Sequence, residues 1–108
     1  MRVIEQRWLQ SIVEWAEHIP KIKHVYVVGS RAKGKARYDS DLDVAIELID
    51  RANLGDWVSL SDQWKDELQS KLDVRLHLLR ASERLGNPTV ALAVKEHGLL
   101  VYERDVSK

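Results

Sequence analysis

The chain has 108 residues, 44% of them hydrophobic and 31% charged, which is the composition of one globular domain rather than of a disordered segment. Seventeen Lys and Arg balance seventeen Asp and Glu, for a formal net charge of zero, so overall charge supplies no drive toward nucleic acid or an anionic membrane. Cysteine is absent, which excludes disulfides, thiol catalysis and cysteine-ligated zinc. No apolar run approaches the ~18–20 residues that a membrane helix needs. The opening residues mix Arg2, Glu5, Gln6 and Arg7 with apolar side chains and lack a signal-peptide core, so the expected location is cytoplasmic.

Ile4, Trp8, Ile12, Trp15 and Ile19 recur at helical spacing and predict a first amphipathic helix, which Pro20 ends. His24 to Val28 is a β-branched and aromatic run that stops at Gly29, and reads as a buried strand. Ser30 to Ser40 is polar and cationic. Leu42 to Leu48 is a second strand, with Val44, Ile46 and Leu48 apolar. Asn53 to Asp56, containing Gly55, reads as a loop. Trp57, Leu60, Trp64 and Leu68 mark another amphipathic helix. A third strand is expected over 72–78, with Leu72, Val74, Leu76 and Leu78 on one face and Asp73, Arg75 and His77 on the other. Asn87-Pro88 opens a last helix that runs to about His97, where Gly98 stops it. Leu99 to Tyr102 is the closing strand. The order predicts an α/β (α+β) layer fold, a small mixed sheet with helices packed on it, in one domain over 1–108.

The stretch from Gly29 to Asp43 carries the chemistry. A strand ends at Gly29-Ser30, and Gly34 follows within a turn. Glycine lets backbone N–H groups approach an anion, and Ser30 adds a hydroxyl donor. Arg31, Lys33, Lys35 and Arg37 place four cations in seven residues; Asp39, Asp41 and Asp43 then place three carboxylates in five. On a strand, Asp41 and Asp43 share a face. Two such carboxylates repel unless a cation lies between them, and a hard divalent ion meets that need. A phosphate-friendly turn beside a carboxylate pair is what metal-assisted nucleotidyl transfer requires. The plain alternatives are a solvated charge run and a capped turn at Ser40-Asp41.

Gly29-Ser30-x-x-x-Gly34 followed by Ser40-Asp41-Leu42-Asp43 resembles the signature of the DNA polymerase beta-like nucleotidyltransferase superfamily. The small size resembles its minimal members, the MNT-type proteins, many of which act as antitoxins beside a HEPN-domain toxin. The resemblance covers most of the chain, including the closing Glu96 to Glu103 segment. It implies the polymerase beta-like nucleotidyltransferase fold, with Gly29, Ser30, Arg31, Gly34 and Ser40 at the nucleotide and Asp41, Asp43 and Asp73 as the catalytic, Mg²⁺-binding acids of a two-metal site. Asp73 fits a third carboxylate that the family carries on a later strand; its plain alternative is a surface acid. Arg31 either touches phosphate or is solvated. His77 reads as a half-exposed strand residue. The pairs Trp8/Trp15 and Trp57/Trp64 read as core packing, with adenine stacking or a partner surface as the lesser alternative.

The resemblance implies an enzyme that transfers AMP from ATP to a hydroxyl, a tyrosine, of a partner HEPN toxin, in a type VII-like toxin–antitoxin system. The alternatives are an antitoxin that neutralises its partner by binding alone and an aminoglycoside-type small-molecule nucleotidyltransferase. No direct nucleic-acid or membrane binding is expected.

Overall fold

Helix α1 (Gln6–Glu17) forms where the aromatic and aliphatic stripe predicts it, and buries Trp8, Ile12 and Trp15. In the computed structural model, which describes residues 4–35, 37, 39–49, 54–81 and 94–104, six further elements follow. They are β1 (Ile22–Val28), α2 (Gly29–Lys33), β2 (Leu42–Leu48), α3 (Leu54–Gln69), β3 (Leu76–Arg80) and β4 (Leu99–Glu103). The sheet runs β3-β2-β1-β4. β1 pairs antiparallel with both β2 and β4, and β2 pairs parallel with β3. A parallel pair needs a crossover, and α3 supplies it. The molecule is thus a mixed α/β fold with a four-stranded mixed sheet, as the sequence predicts.

One face of the sheet meets α1 and α3. Val25, Val27, Val44, Ile46 and Leu76 pack there against Trp8, Ile12, Trp15, Trp64 and Leu68. The Trp15 indole N–H donates to the Trp64 carbonyl at 3.1 Å, tying the two helices together. The other face carries a smaller cluster of Val28, Ala45 and Ala81, flanked by Tyr26, Leu79 and Val94. Residues 94–97 are helical and Gly98 follows; a Cβ there would stand 2.7 Å from the Val94 carbonyl oxygen, so the turn into β4 needs glycine for close approach. The Asn87-Pro88 helix start lies outside the described residues.

Two boundaries differ from the sequence reading. α3 begins at Leu54, so Gly55 sits inside a helix and not in a loop. β3 begins at Leu76; before it the chain turns at Ser70 and Lys71 and bends at Asp73 and Val74. Leu72 and Leu76 are both buried, which mimics strand alternation. The backbone, however, is turned by Lys71 and Leu72 N–H groups that donate back to Leu68 and Gln69. The Gln69 side chain then donates to the Val74 carbonyl (2.9 Å) and accepts from the Leu76 N–H (2.8 Å). That amide satisfies backbone groups a longer strand would have paired.

Candidate active site

The antiparallel register places Val28 opposite Asp43. The residue after Val28 therefore lands beside the Asp43 side chain. Gly29 takes φ +75°, and a Cβ on it would lie 2.1 Å from Asp43 Oδ2. Only glycine fits both the backbone conformation and the space. Its N–H donates to His97 Nε2 at 3.1 Å, so the last helical turn reaches the site. No local pattern in the sequence marks His97 for this, because the contact spans the chain. The single turn α2 follows and closes at Gly34 in the left-handed conformation (φ 77°). Its other close is the Lys35 N–H, which donates to the Ser30 carbonyl at 2.9 Å.

Beyond α2 the chain turns back at Ser40. The Ser40 N–H donates to the Arg37 carbonyl (3.1 Å), and the Arg37 N–H donates to Ser40 Oγ (2.9 Å). Asp41 and Asp43 then alternate at the start of β2. The parallel register sets Asp43 opposite His77, with Asp43 Oδ1 and His77 Nδ1 3.4 Å apart. Asp41 Oδ1 lies 3.7 Å from Arg75 Nε. The polar residues of the third strand region therefore do face the acid pair, though as bases and not as an acid. Burial lifts the Asp43 carboxyl above its ordinary range; Asp41 adds to this, while His77 and, more weakly, Arg31 pull against it.

Two residues stand elsewhere than the sequence reading put them. Asp73 is not on a strand. Its carboxylate accepts from the Trp8 indole N–H at 2.7 Å and from Arg7 Nη2 at 2.6 Å, and these bonds hold its carboxyl below the ordinary range. Arg31, expected at a phosphate or in water, is only 1% exposed. Its Nε and Nη2 donate to the Ser40 carbonyl at 3.1 and 2.6 Å, and its guanidinium carbon lies 5.0 Å from the Trp8 ring centroid.

The donors at the site are oxygen atoms of Asp41 and Asp43, suited to a hard divalent cation. Asp43 is partly buried, and a bound cation would offset the cost of holding its charge there. Among the described residues no three His, Asp or Glu side chains gather into a ready metal cage, so Asp41, Asp43 and Asp73 are not brought together as three ligands. Gly29, Ser30, Asp41 and Asp43 are brought to one end of the β1–β2 pair. Among the described residues no helix is long and apolar enough to cross a membrane.

The fold has solved counterparts. One is a toxin–antitoxin crystal structure with AMP-PNP, with 21% identity and TM-score 0.70 over 90% of this chain and 74% of that chain. Another is a complex of a tri-AMPylated HEPN toxin with its MNT antitoxin from Shewanella oneidensis, with 20% identity and TM-score 0.66 over 94% and 74%. A third is the MntA–HepT toxin–antitoxin, with 22% identity and TM-score 0.63 over 93% and 74%. At these identities the likeness is one of fold. No curated protein matches the chain by sequence. The family model described as polymerase beta, nucleotidyltransferase matches residues 10–107, nearly the whole length, and the chain belongs to that family.

Proposed function

We propose that this chain is a cytoplasmic, single-domain nucleotidyltransferase that moves AMP from ATP onto a tyrosine hydroxyl of a HEPN-type toxin and so serves as its antitoxin, in a type VII-like pair. The observation that carries this reading is the placement of Asp41 and Asp43 beside the Gly29-Ser30 turn. The complexes with AMP-PNP and with an AMPylated HEPN toxin, which share the fold, support the choice of nucleotide and partner.

In this reading Gly29, Ser30 and Gly34 shape the turn that receives the triphosphate, and Ser40 shapes the turn that carries Asp41. Asp41 and Asp43 hold Mg²⁺, which neutralises phosphate charge when bound. Asp41 leaves Arg75 to do so, and Arg75 is then free to face the nucleotide's negative charge. The acceptor hydroxyl oxygen bonds to the α-phosphorus. The bond from that phosphorus to the β-phosphate bridging oxygen breaks, pyrophosphate leaves with the electron pair, and the hydroxyl proton passes to water.

A second reading, neutralisation by binding alone, is favoured by the pairing of both acids with basic residues and by the absence of a three-acid cage among the described residues. One experiment separates the two. The chain, co-expressed with a HEPN toxin, is given α-labelled ATP and Mg²⁺. Label on the toxin that vanishes in the Asp41→Asn/Asp43→Asn double variant supports transfer. A stable complex that takes no label, and whose neutralisation survives the double substitution, supports binding alone.

A further inference from the structure

Of the four cations between residues 31 and 37, the exposed ones are Lys33, Lys35 and Arg37, while Arg31 is buried. A buried guanidinium is costly unless its N–H groups are bonded and its charge is stabilised. Here two of its N–H groups converge on one carbonyl, that of Ser40, and its flat face lies over the Trp8 indole. Ser40 immediately precedes Asp41, so fixing its carbonyl fixes the peptide plane that leads into the first acid. On the far side of Asp41, the Leu42 N–H donates to the Arg75 carbonyl at 2.8 Å. Asp41 thus hangs between two anchored peptides.

The Trp8 ring is itself held. Its N–H donates to Asp73 Oδ1, and Asp73 Oδ2 is held by Arg7. A phosphate-binding arginine needs to reach solvent, and Arg31 is only 1% exposed.

We infer that Asp73, Trp8 and Arg31 form a brace behind the acid-bearing turn, in which Arg31 is a positioning residue for Ser40-Asp41 and Asp73 acts by orienting the Trp8 indole. This rests on the proposed function only in taking Asp41 as a working residue of the site.

Two readouts on the whole chain test it: amide hydrogen exchange at Ser40 and Leu42, and affinity for a fluorescent ATP analogue with Mg²⁺ and with EDTA. The variants are Arg31→Lys, Trp8→Phe, Asp73→Ala and Asp73→Asn. Loss of a charge-assisted bond is expected to speed exchange at Ser40 and Leu42 about tenfold in the first three. Exchange in β1 and β4 stays as in the wild type, and so does affinity in EDTA, while the Mg²⁺-dependent gain in affinity falls. Asp73→Asn keeps an oxygen acceptor for the indole and restores slow exchange. Should Arg31→Lys not fold, Trp8→Phe and the Asp73 pair carry the test, since Asp73 is exposed and Phe keeps a ring under Arg31. Unchanged exchange at Ser40 and Leu42 in the folded variants overturns the brace. So does an Arg31→Lys protein that loses affinity in EDTA with its exchange unchanged, because that marks a phosphate ligand. A wild-type chain that binds no nucleotide refutes the proposed function, and the exchange measurements still decide the brace.

Discussion

Gly29 and Asp43 are packed so closely that no side chain fits between them: a methyl group on the glycine would overlap the carboxylate at 2.1 Å. The turn expected to receive phosphate and the acid expected to hold metal are therefore one packed unit. Gly29→Ala adds a left-handed alanine, which costs about 1 kcal/mol, and displaces Asp43. The expected result is a Tm lowered by several degrees together with loss of Mg²⁺-dependent nucleotide binding. A variant that binds nucleotide with wild-type affinity contradicts the contact.

Asp43→Asn removes a partly buried charge whose ionisation the fold opposes. Thermal melts at neutral pH are expected to show the variant equal to or more stable than the wild type. Mg²⁺ with nucleotide should raise the Tm of the wild type and leave the variant where it was. The two melts together identify Asp43 as a residue kept at the expense of stability.

The carboxyl of Asp73 is held low by Trp8 and Arg7. A lowered carboxyl contributes stability that is present above its ordinary pKa and lost as pH falls through the folded one. The wild type should therefore lose part of its stability in acid that Asp73→Ala never had, so the two melting curves converge as pH drops below the ordinary carboxylate range. The difference at neutral pH is small, because the pair with Arg7 is exposed. Curves that stay parallel down to pH 2 contradict the contact.

Arg104 closes α1. Its Nη2 donates to the carbonyls of Ala16, Glu17 and Ile19, and its Nε to that of Ile22. These include end-of-helix carbonyls with no partner inside the helix. Arg104→Met is expected to cost about 2 kcal/mol, lowering the Tm of a domain this size by roughly 8–16 °C, with nucleotide affinity unchanged. A shift under about 2 °C rejects the clamp.

His97 accepts the Gly29 N–H. His97→Ala is expected to change nucleotide affinity several-fold without altering the melt, and His97→Gln, which keeps an acceptor, to restore it. Equal affinities in all three proteins separate His97 from the site.

The periodic parts of the fold were readable in advance. The stripe from Trp8 to Ile19 buries the residues that its spacing selects, and the run from Leu42 to Leu48 buries Val44 and Ile46, with Leu48 partly covered at its end. The strand that alternation predicts over 72–78 starts only at Leu76, because Leu72 and Leu76 are both buried while the Gln69 amide, invisible to any alternation rule, bends the backbone between them. The same bend carries Asp73 to Trp8. The glycine turn and the acid pair were legible because their chemistry is local. Arg31 was not, since a cation in a charged run reads as solvated until a distant ring covers it. His97 and Arg104 act across most of the chain length, where sequence offers no spacing to measure.

The pairing of β4 with β1 has a consequence for the order of folding. The strands that carry the site, β1 and β2, are joined by a short connection, whereas β4 reaches β1 only after some seventy residues have intervened. Loop-closure entropy grows with that separation, and local contacts form first. The acid-bearing end of the sheet is therefore expected to form early. The closing strand, with the Arg104 clamp one residue beyond it, is expected to dock last onto a sheet already in place.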